Sequence, residues 1–347
     1  MKLTIFYFAH FNPSAACVRY RGKYLLETLN KEKEVTYHFI YPEYSVKMMM
    51  NIIKMLFDLL FSSGEKIIIN QKIYRETLYS YIILYLVKYA KLPSIYDIDD
   101  AYFVKHGDRV INQFIKHSTK VIVGSERLLQ YAKDFSENVE LIPSSVFKQR
   151  ADSRTKPNEI TIGFVGSLNY YLPLLKTKIF PALVKLNFPF RLVLIGLNRE
   201  HLKDAISSYF AEHSHIDLSI PEKIHWEDET DVYARINEFT VGLAPLSESL
   251  IDECKSAFKL KQYFSLGIPV IGSNLGENVK HIRHQENGLV CHSIQEYFDA
   301  FNRIRQMEDS QYVQWSKQAK ESLDGCYFQD YVNDYWKAIE SCLPVHS

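Results

Sequence analysis

Short apolar runs alternate along this chain with longer segments of helical spacing, and the series occurs twice. Residues 3–8 are a continuous apolar run, as in a strand buried on both faces of a parallel sheet. Further strands are predicted at 35–40, 66–70, 94–100, 120–124 and 139–143. The spacing predicts helices over 18–29 (Tyr24, Leu25 and Leu29 inward), 46–61 and 76–90, and a fourth from Ser125, whose hydroxyl caps its first turn. The polar stretch 148–158, with two arginines, two lysines and a proline, closes this first series. The second begins with a strand over 160–165 delivering the small turn Gly166-Ser167, then a helix over 174–186. Strand 191–196, helix 199–210, a short strand end at 224–226 and a buried strand at 240–246 follow. A polar loop, 247–254, leads into a helix from Lys255 that Gly267 stops, and a buried strand at 269–271 comes next. A turn at 274–278, a strand entry at 287–290 and a helix over 330–342 complete the chain. The pattern predicts an α/β protein with two Rossmann-like, doubly wound parallel-sheet domains, 1–150 and 151–325, and a C-terminal helix within 326–347.

The helix from Lys255 carries the most chemistry. Ala257, Leu260 and Phe264 recur on its apolar side, and Lys255, Lys259 and Gln262 recur on another. Two ammonium groups and an amide on one face suit a diphosphate and a ribose, and the amides of the first turn add to the pull on an anion. A solvated basic face is the plainer account of the same spacing. Gly166 and Ser167 would let a backbone approach a phosphate. The strand over 94–100 ends in Asp97, Asp99 and Asp100, and strict alternation puts the first two on one face and Asp100 on the other. Acids at that position call for solvent, a metal or a function.

Charge excludes some partners. The 41 basic and 41 acidic residues among 347 cancel, so no global field draws nucleic acid, and any anion site is local. Five scattered cysteines (Cys17, Cys254, Cys291, Cys326, Cys342) give neither a disulfide framework nor zinc spacing, which fits a reducing cytoplasm. The N-terminal apolar run is broken by His10, Asn12 and Pro13, so a strand explains it better than a secretion signal. No stretch reaches the roughly 18 apolar residues of a membrane span. The Met-rich helix over 46–61, with Lys47 and Lys54, reads as a core helix or as an interfacial one. No glycine occurs in 9–17, which argues against a dinucleotide fingerprint, and no P-loop or serine-histidine-acid order appears.

The run Lys259-x-x-Gln262-Tyr263-Phe264-Ser265-Leu266-Gly267-Ile268-Pro269-Val270 resembles the nucleotide-sugar-binding helix of glycosyltransferase family 4, the group 1 glycosyl transferases, and their GT-B relatives. Arg19-Tyr20-Arg21, Tyr96 to Asp100, Pro143 to Val146 and Asn287 to Val290 resemble the same group. The resemblance implies a GT-B fold with two domains facing across a cleft, a nucleotide-diphosphate sugar donor as substrate, and neither cofactor nor bound metal. It implies a diphosphate site of Gly166, Ser167, Asn169, Lys255, Ser256 and Lys259, with Gln262 at the ribose. Asp99 or Asp100 would deprotonate or hold the acceptor hydroxyl, and His10 is a further candidate base. Arg19 and Arg21 would stand at the cleft mouth, and Gly276, Glu277 and Asn278 would meet the donor from the other side. The acceptor would be a sugar or a lipid-linked sugar in surface polysaccharide or glycoconjugate synthesis, with 46–61 touching the inner face of the membrane. Two departures stand out. Ser167-Leu168-Asn169-Tyr170 replaces a basic pair near the phosphate turn. Cys254 and Gln262 occupy the positions of two glutamates, leaving Glu253 or Glu248 to compensate for the first. Epimerisation, polyol-phosphate transfer and a non-catalytic binding role are the competing readings.

Overall fold

In the computed structural model, residues 3–42, 46–61, 63–90, 92–150, 154–197, 199–222 and 224–344 are described. The chain divides into two units: Met1–Ser145 with Cys254–Ser256 and Phe328–Ser347, and Val146–Glu253 with Ala257–Tyr327. The centre of the polar stretch 148–158, residues 151–153, lies outside the described residues, as do Lys2 and the side chain of Lys47.

The first unit holds a parallel sheet of six strands, β1 (Leu3–Ala9), β2 (Thr36–Ile40), β3 (Glu65–Gln71), β4 (Ser94–Ile98), β5 (Lys120–Val123) and β6 (Val139–Leu141), in the order β2-β1-β3-β4-β5-β6. The apolar runs of β1, β3 and β5 are buried because helices cover both faces. The predicted helix over 18–29 runs over 16–33, with a π-helical turn at Arg19–Lys23, and buries Leu25, Leu26 and Leu29, while Tyr24 is half-buried. Ser125 caps its helix as expected, accepting from the Leu128 amide. Helix Phe328–Glu340 belongs to this unit, its Tyr331 hydroxyl donating to Arg21 O at 3.2 Å.

The second unit holds β7 (Thr161–Val165), β8 (Phe190–Ile195), β9 (Ile216–Ser219), β10 (Val241–Ala244), β11 (Val270–Gly272) and β12 (Gly288–Val290), all parallel, in the order β12-β11-β10-β7-β8-β9. Counted within the unit this is 3-2-1-4-5-6, the doubly wound order of dinucleotide-binding sheets. Its order reverses between β7 and β10, and ligands of such sheets bind beyond the strand ends at that point. The fold class expected from the apolar pattern is therefore present in both units.

Some elements differ from the expectation. The helix after Gly166-Ser167 begins at Leu168, not 174. Pro173, which lacks the amide for a bond back to residue 169, is followed by a π-helical turn at Leu175–Ile179, so the helix passes through it. Residues 224–226 form no strand. His225 donates its amide to Asp231 Oδ2 and accepts from Asp228, so this backbone serves the start of helix Glu229–Ile236. The sheet instead takes β9, and helices Arg109–His117, Ile294–Gln306 and Asp309–Glu321 add to those expected. Among the described residues no helix is long and apolar enough to cross a membrane.

Candidate functional site

At the reversal of the second sheet, the chain leaves β7 through Gly166, at φ 139°. Gly196, at φ 109° after β8, lies so close that a Cβ there would come within 1.9 Å of Gly166 O, a contact only glycine permits. The Gly166 amide donates to Ile195 O at 3.1 Å and the Leu168 amide to Gly196 O at 3.3 Å, so the turn is clamped from both sides. Ser167 is exposed at its tip, and the helix that begins at Leu168 sets its positive end there, although the Leu168 and Tyr170 amides are already bonded to Gly196 O and Ser167 O.

Helix Phe258–Ser265 brings a cation to this turn. Its Tyr263 hydroxyl accepts from the Val165 amide at 2.9 Å and donates to Leu243 O at 3.3 Å, which locks the helix across the ends of β7 and β10. The Lys259 ammonium then sits 3.2 Å from the ring centre of Tyr171 and 4.5 Å from that of Phe164. It is 3.9 Å from the place a Cβ on Gly166 would take. The ring faces attract the ammonium and hold it beside the turn.

The helix does not begin where the spacing placed it. Ala257 takes the left-handed conformation (φ 55°), so Lys255 and Ser256 precede the first turn and do not share a helical face with Lys259 and Gln262. Lys255 is half-buried and Ser256 buried, and both group with the first unit. Lys261, which the helical spacing set apart from the binding face, is 1% exposed. Gln262 is nearly buried one turn beyond Lys259, and Asn169 is half-buried in the first turn after Ser167.

The loop before this helix contains an acid that spacing did not mark. Buried Asp252 accepts from the Ser247 amide (2.8 Å) and hydroxyl (2.6 Å) and from the Tyr170 hydroxyl (3.0 Å). Gly276 turns at φ 52° against the carbonyls of Asp252 and Glu253. Glu277 is buried and pairs with Lys280 at 2.9 Å. Asn278 Nδ2 donates to Ala244 O at 3.0 Å and Ser273 O at 3.3 Å, tying down the ends of β10 and β11.

In the first unit the three acids divide into two groups. Asp97 is buried and receives Arg21 Nε at 2.9 Å and Nη2 at 2.7 Å, with the Tyr335 hydroxyl at 3.2 Å. Arg21 also donates to Ile142 O and the Ser144 hydroxyl, and none of it is exposed. Its placement at an open mouth is thus corrected: the π-helical turn aims it into the sheet, where the carboxylate repays its desolvation. Arg19 is likewise buried, its guanidinium donating to Ser14 O.

Asp99 and Asp100 lie beyond β4, which ends at Ile98, so strand alternation does not govern them and they are not on opposite faces. Both pair with the ammonium of Lys72, at 2.8 Å in the case of Asp99. Burial alone would raise the Asp99 carboxyl, but the Lys72 ammonium and the Arg21 guanidinium outweigh it and hold it below the usual carboxylate range. His10, just past β1, lies 4.2 Å from the Tyr74 ring, and burial together with Arg75, His106 and Lys72 lowers it to about 4. It is therefore neutral near pH 7 and able to accept a proton. Among the described residues no three His, Cys, Asp or Glu side chains form a metal-holding group.

Residues 159–306, which contain all six strands of the second unit's sheet, match the family model described as Glycosyl transferases group 1. Over these residues the chain is similar to the group 1 glycosyl transferases. No curated protein matches the chain by sequence. Solved structures match nearly its whole length. The sucrose-phosphate synthase of Thermosynechococcus elongatus gives a TM-score of 0.73 at 13% identity, covering 97% of this chain and 98% of its own. Anabaena HepE in complex with UDP gives 0.68 at 13%, over 97% and 100%. The lipopolysaccharide outer core galactosyltransferase WaaB gives 0.67 at 14%, over 99% and 100%. At these identities the likeness is one of fold, and it gives this chain the GT-B class expected from its sequence.

Within residues 159–306, the structure brings Lys259 to the Gly166-Ser167 turn and keeps Asn169 and Gln262 on the neighbouring helical turns. It does not put Lys255 on the same helix. In the first unit it joins Asp99 to Asp100 and gives Arg21 to the fold. Lys72, Asp252, Tyr171 and Phe164 escaped the sequence reading. Lys72 directly follows a predicted strand end, a position that could have flagged it. The two rings carry no signal, since aromatic residues at such spacing are ordinary core.

Proposed function

We propose that this protein transfers a hexose from a nucleoside-diphosphate sugar to a hydroxyl acceptor, in the synthesis of a surface polysaccharide or another glycoconjugate. The observation that carries this is the Lys259 ammonium at the phosphate-sized turn Gly166-Ser167, at the strand reversal of a sheet similar to the group 1 glycosyl transferases. As the bond to the sugar breaks, charge builds on the leaving diphosphate. Lys259 and the positive end of the helix after Ser167 suit that charge, a fixed electrostatic arrangement that needs little reorganisation. With Lys259 supplying the positive charge, the proposal needs no divalent metal and no cofactor beyond the donor. Gln262 would meet the ribose hydroxyls, since its amide can both donate and accept. Asp99 and Asp100, in the first unit, would hold acceptor hydroxyls, and His10, neutral near pH 7, is a further candidate proton acceptor.

HepE, one of the fold neighbours, has been solved with UDP-glucose and with UDP and glucose, and a uridine nucleotide is the donor we propose here. A lipid-linked acceptor at a membrane surface fits one further feature. Met50, Ile53, Phe57, Leu60 and Phe61 form a single stripe on helix Val46–Phe61, and each is largely exposed, up to 70% at Phe61.

A nucleotide-sugar panel assayed with and without simple glycoside acceptors, in EDTA, tests the reading. Release of nucleoside diphosphate with transfer to acceptor is expected. Release of nucleoside monophosphate, or no turnover with any donor, would refute it. Flotation with anionic vesicles is expected to carry the parent protein but not Phe57→Ser/Phe61→Ser.

A further inference from the structure

The acid pair past β4 is already occupied by a cation of the protein's own. After β3 the backbone enters the left-handed region at Lys72 (φ 56°), unusual for a residue with a Cβ. The Lys72 amide donates to Asp97 O at 2.8 Å, which fixes this conformation against β4. The side chain is 2% exposed, and its ammonium lies 2.8 Å from Asp99 Oδ1, bonds Asp100 Oδ2, and stands 5.4 Å from the Tyr102 ring centre. Asp99 is the inner arm of this arrangement. Asp100 is the outer one, with a third of its side chain open to solvent. A lysine in a strained backbone conformation, buried and set between two carboxylates past the ends of two neighbouring strands, is a costly arrangement for stability alone.

We propose that Lys72 is a positioning residue: its ammonium fills the place between Asp99 and Asp100 where a divalent cation would otherwise sit, and it turns the free oxygens of Asp100 toward the acceptor hydroxyl. The proposal rests on the reading of Asp100 as an acceptor-binding group. Burial would pull the Lys72 ammonium down, but Asp100 and Asp99 more than offset this, so it stays charged well past neutral pH. One ammonium against two carboxylates leaves one net negative charge, which suits the acceptance of a hydroxyl hydrogen and gives no drive to ionise it.

The test uses the full chain and three variants, Lys72→Met, Lys72→Arg and Lys72→Met/Asp100→Asn. Binding of Mn²⁺ is followed by loss of the free-ion electron paramagnetic resonance signal. Lys72→Met is expected to bind one equivalent more than the parent, and the added Asp100→Asn change is expected to abolish the gain. With UDP-glucose as donor and p-nitrophenyl glycosides as acceptors, Lys72→Met should raise acceptor KM by about tenfold or more. Its acceptor-independent UDP-glucose hydrolysis should stay within about twofold. Lys72→Arg should recover most of the acceptor KM. Equal Mn²⁺ binding by parent and Lys72→Met would overturn the proposal, as would hydrolysis and transfer falling in parallel. If Lys72→Met does not fold, Lys72→Arg decides: an unchanged donor KM with a raised acceptor KM supports the role, and both unchanged or both raised overturns it. The metal titration does not depend on turnover, so failure of the transferase reading leaves it interpretable.

Discussion

Replacing Lys259 by Met keeps the stem of the side chain and removes its charge, and two effects of different size should separate. The first is on stability. The ammonium lies 3.2 Å from the centre of Tyr171 and 4.5 Å from that of Phe164, and losing two such contacts costs about 1–2 kcal/mol. For a domain of this size that lowers Tm by roughly 2–8 °C. The second is on binding. A phosphate oxygen resting on Gly166 would come within about 4 Å of Nζ, where a unit charge pair is worth about 4 kcal/mol at an effective dielectric constant near 20. Desolvation of the two charges removes part of this, leaving about 2–3 kcal/mol, or roughly 30- to 150-fold in Kd. Calorimetric titration with UDP, below the variant's unfolding range, measures the second effect apart from the first. Lys317→Ala, on the exposed face of helix Asp309–Glu321, is the control. Lys261 cannot serve, because it is buried. A Kd within about threefold of the parent, alongside a lowered Tm, would show that Lys259 only packs against rings and would refute the reasoning.

Arg21→Met should cost about 3–5 kcal/mol of stability, because it strands the Asp97 carboxylate in a buried site. Denaturant unfolding measures this, and a loss below about 1 kcal/mol would contradict the pairing. Stability should also fall with acid before most carboxylates titrate. Burial, then Lys261, lowers His281 to about 4 from 6.5, so the unfolded state takes up its proton first as pH drops. The contribution is whole above pH 6.5 and is lost between there and about pH 4, at most roughly 3 kcal/mol. His10 acts in the same sense with smaller weight, and His281→Gln should flatten the slope of urea midpoint against pH. Gly196→Ala should displace the Gly166 carbonyl that a Cβ would meet, weakening UDP binding by about tenfold or more. Unchanged affinity in a folded variant would show that the turn does not hold the nucleotide.

Much of the fold could be read from the sequence because its signal is redundant. An apolar run such as 3–8 or 240–244 has few alternatives to a buried strand, and two series of such runs separated by a polar stretch imply two sheets. The site was harder to read because it depends on single backbone angles. The left-handed turn at Ala257 removes Lys255 from the helical face, and nothing in Lys255-Ser256-Ala257 announces it. The same is true of Lys72, whose left-handed turn carries a charged side chain inward. Arginine patterning misled for a related reason. The resemblance sets Arg21 at the cleft mouth, but its partner Asp97 lies 76 residues along the chain, a separation that periodicity cannot see. Lys259, Gly166 and Ser167 were legible because helix, strand end and small turn each pointed to an anion, and the structure brings Lys259 to that turn.

The central claim is that the second unit binds a nucleoside diphosphate with its phosphates on the Gly166-Ser167 turn beside Lys259. A crystal structure of the full chain with UDP tests it most directly. A phosphate oxygen is expected within about 3 Å of Lys259 Nζ, with the diphosphate at the start of the helix that follows Ser167. Density for UDP elsewhere on the molecule, or phosphates on the turn with the Lys259 ammonium still held against Tyr171 and out of reach, would contradict it.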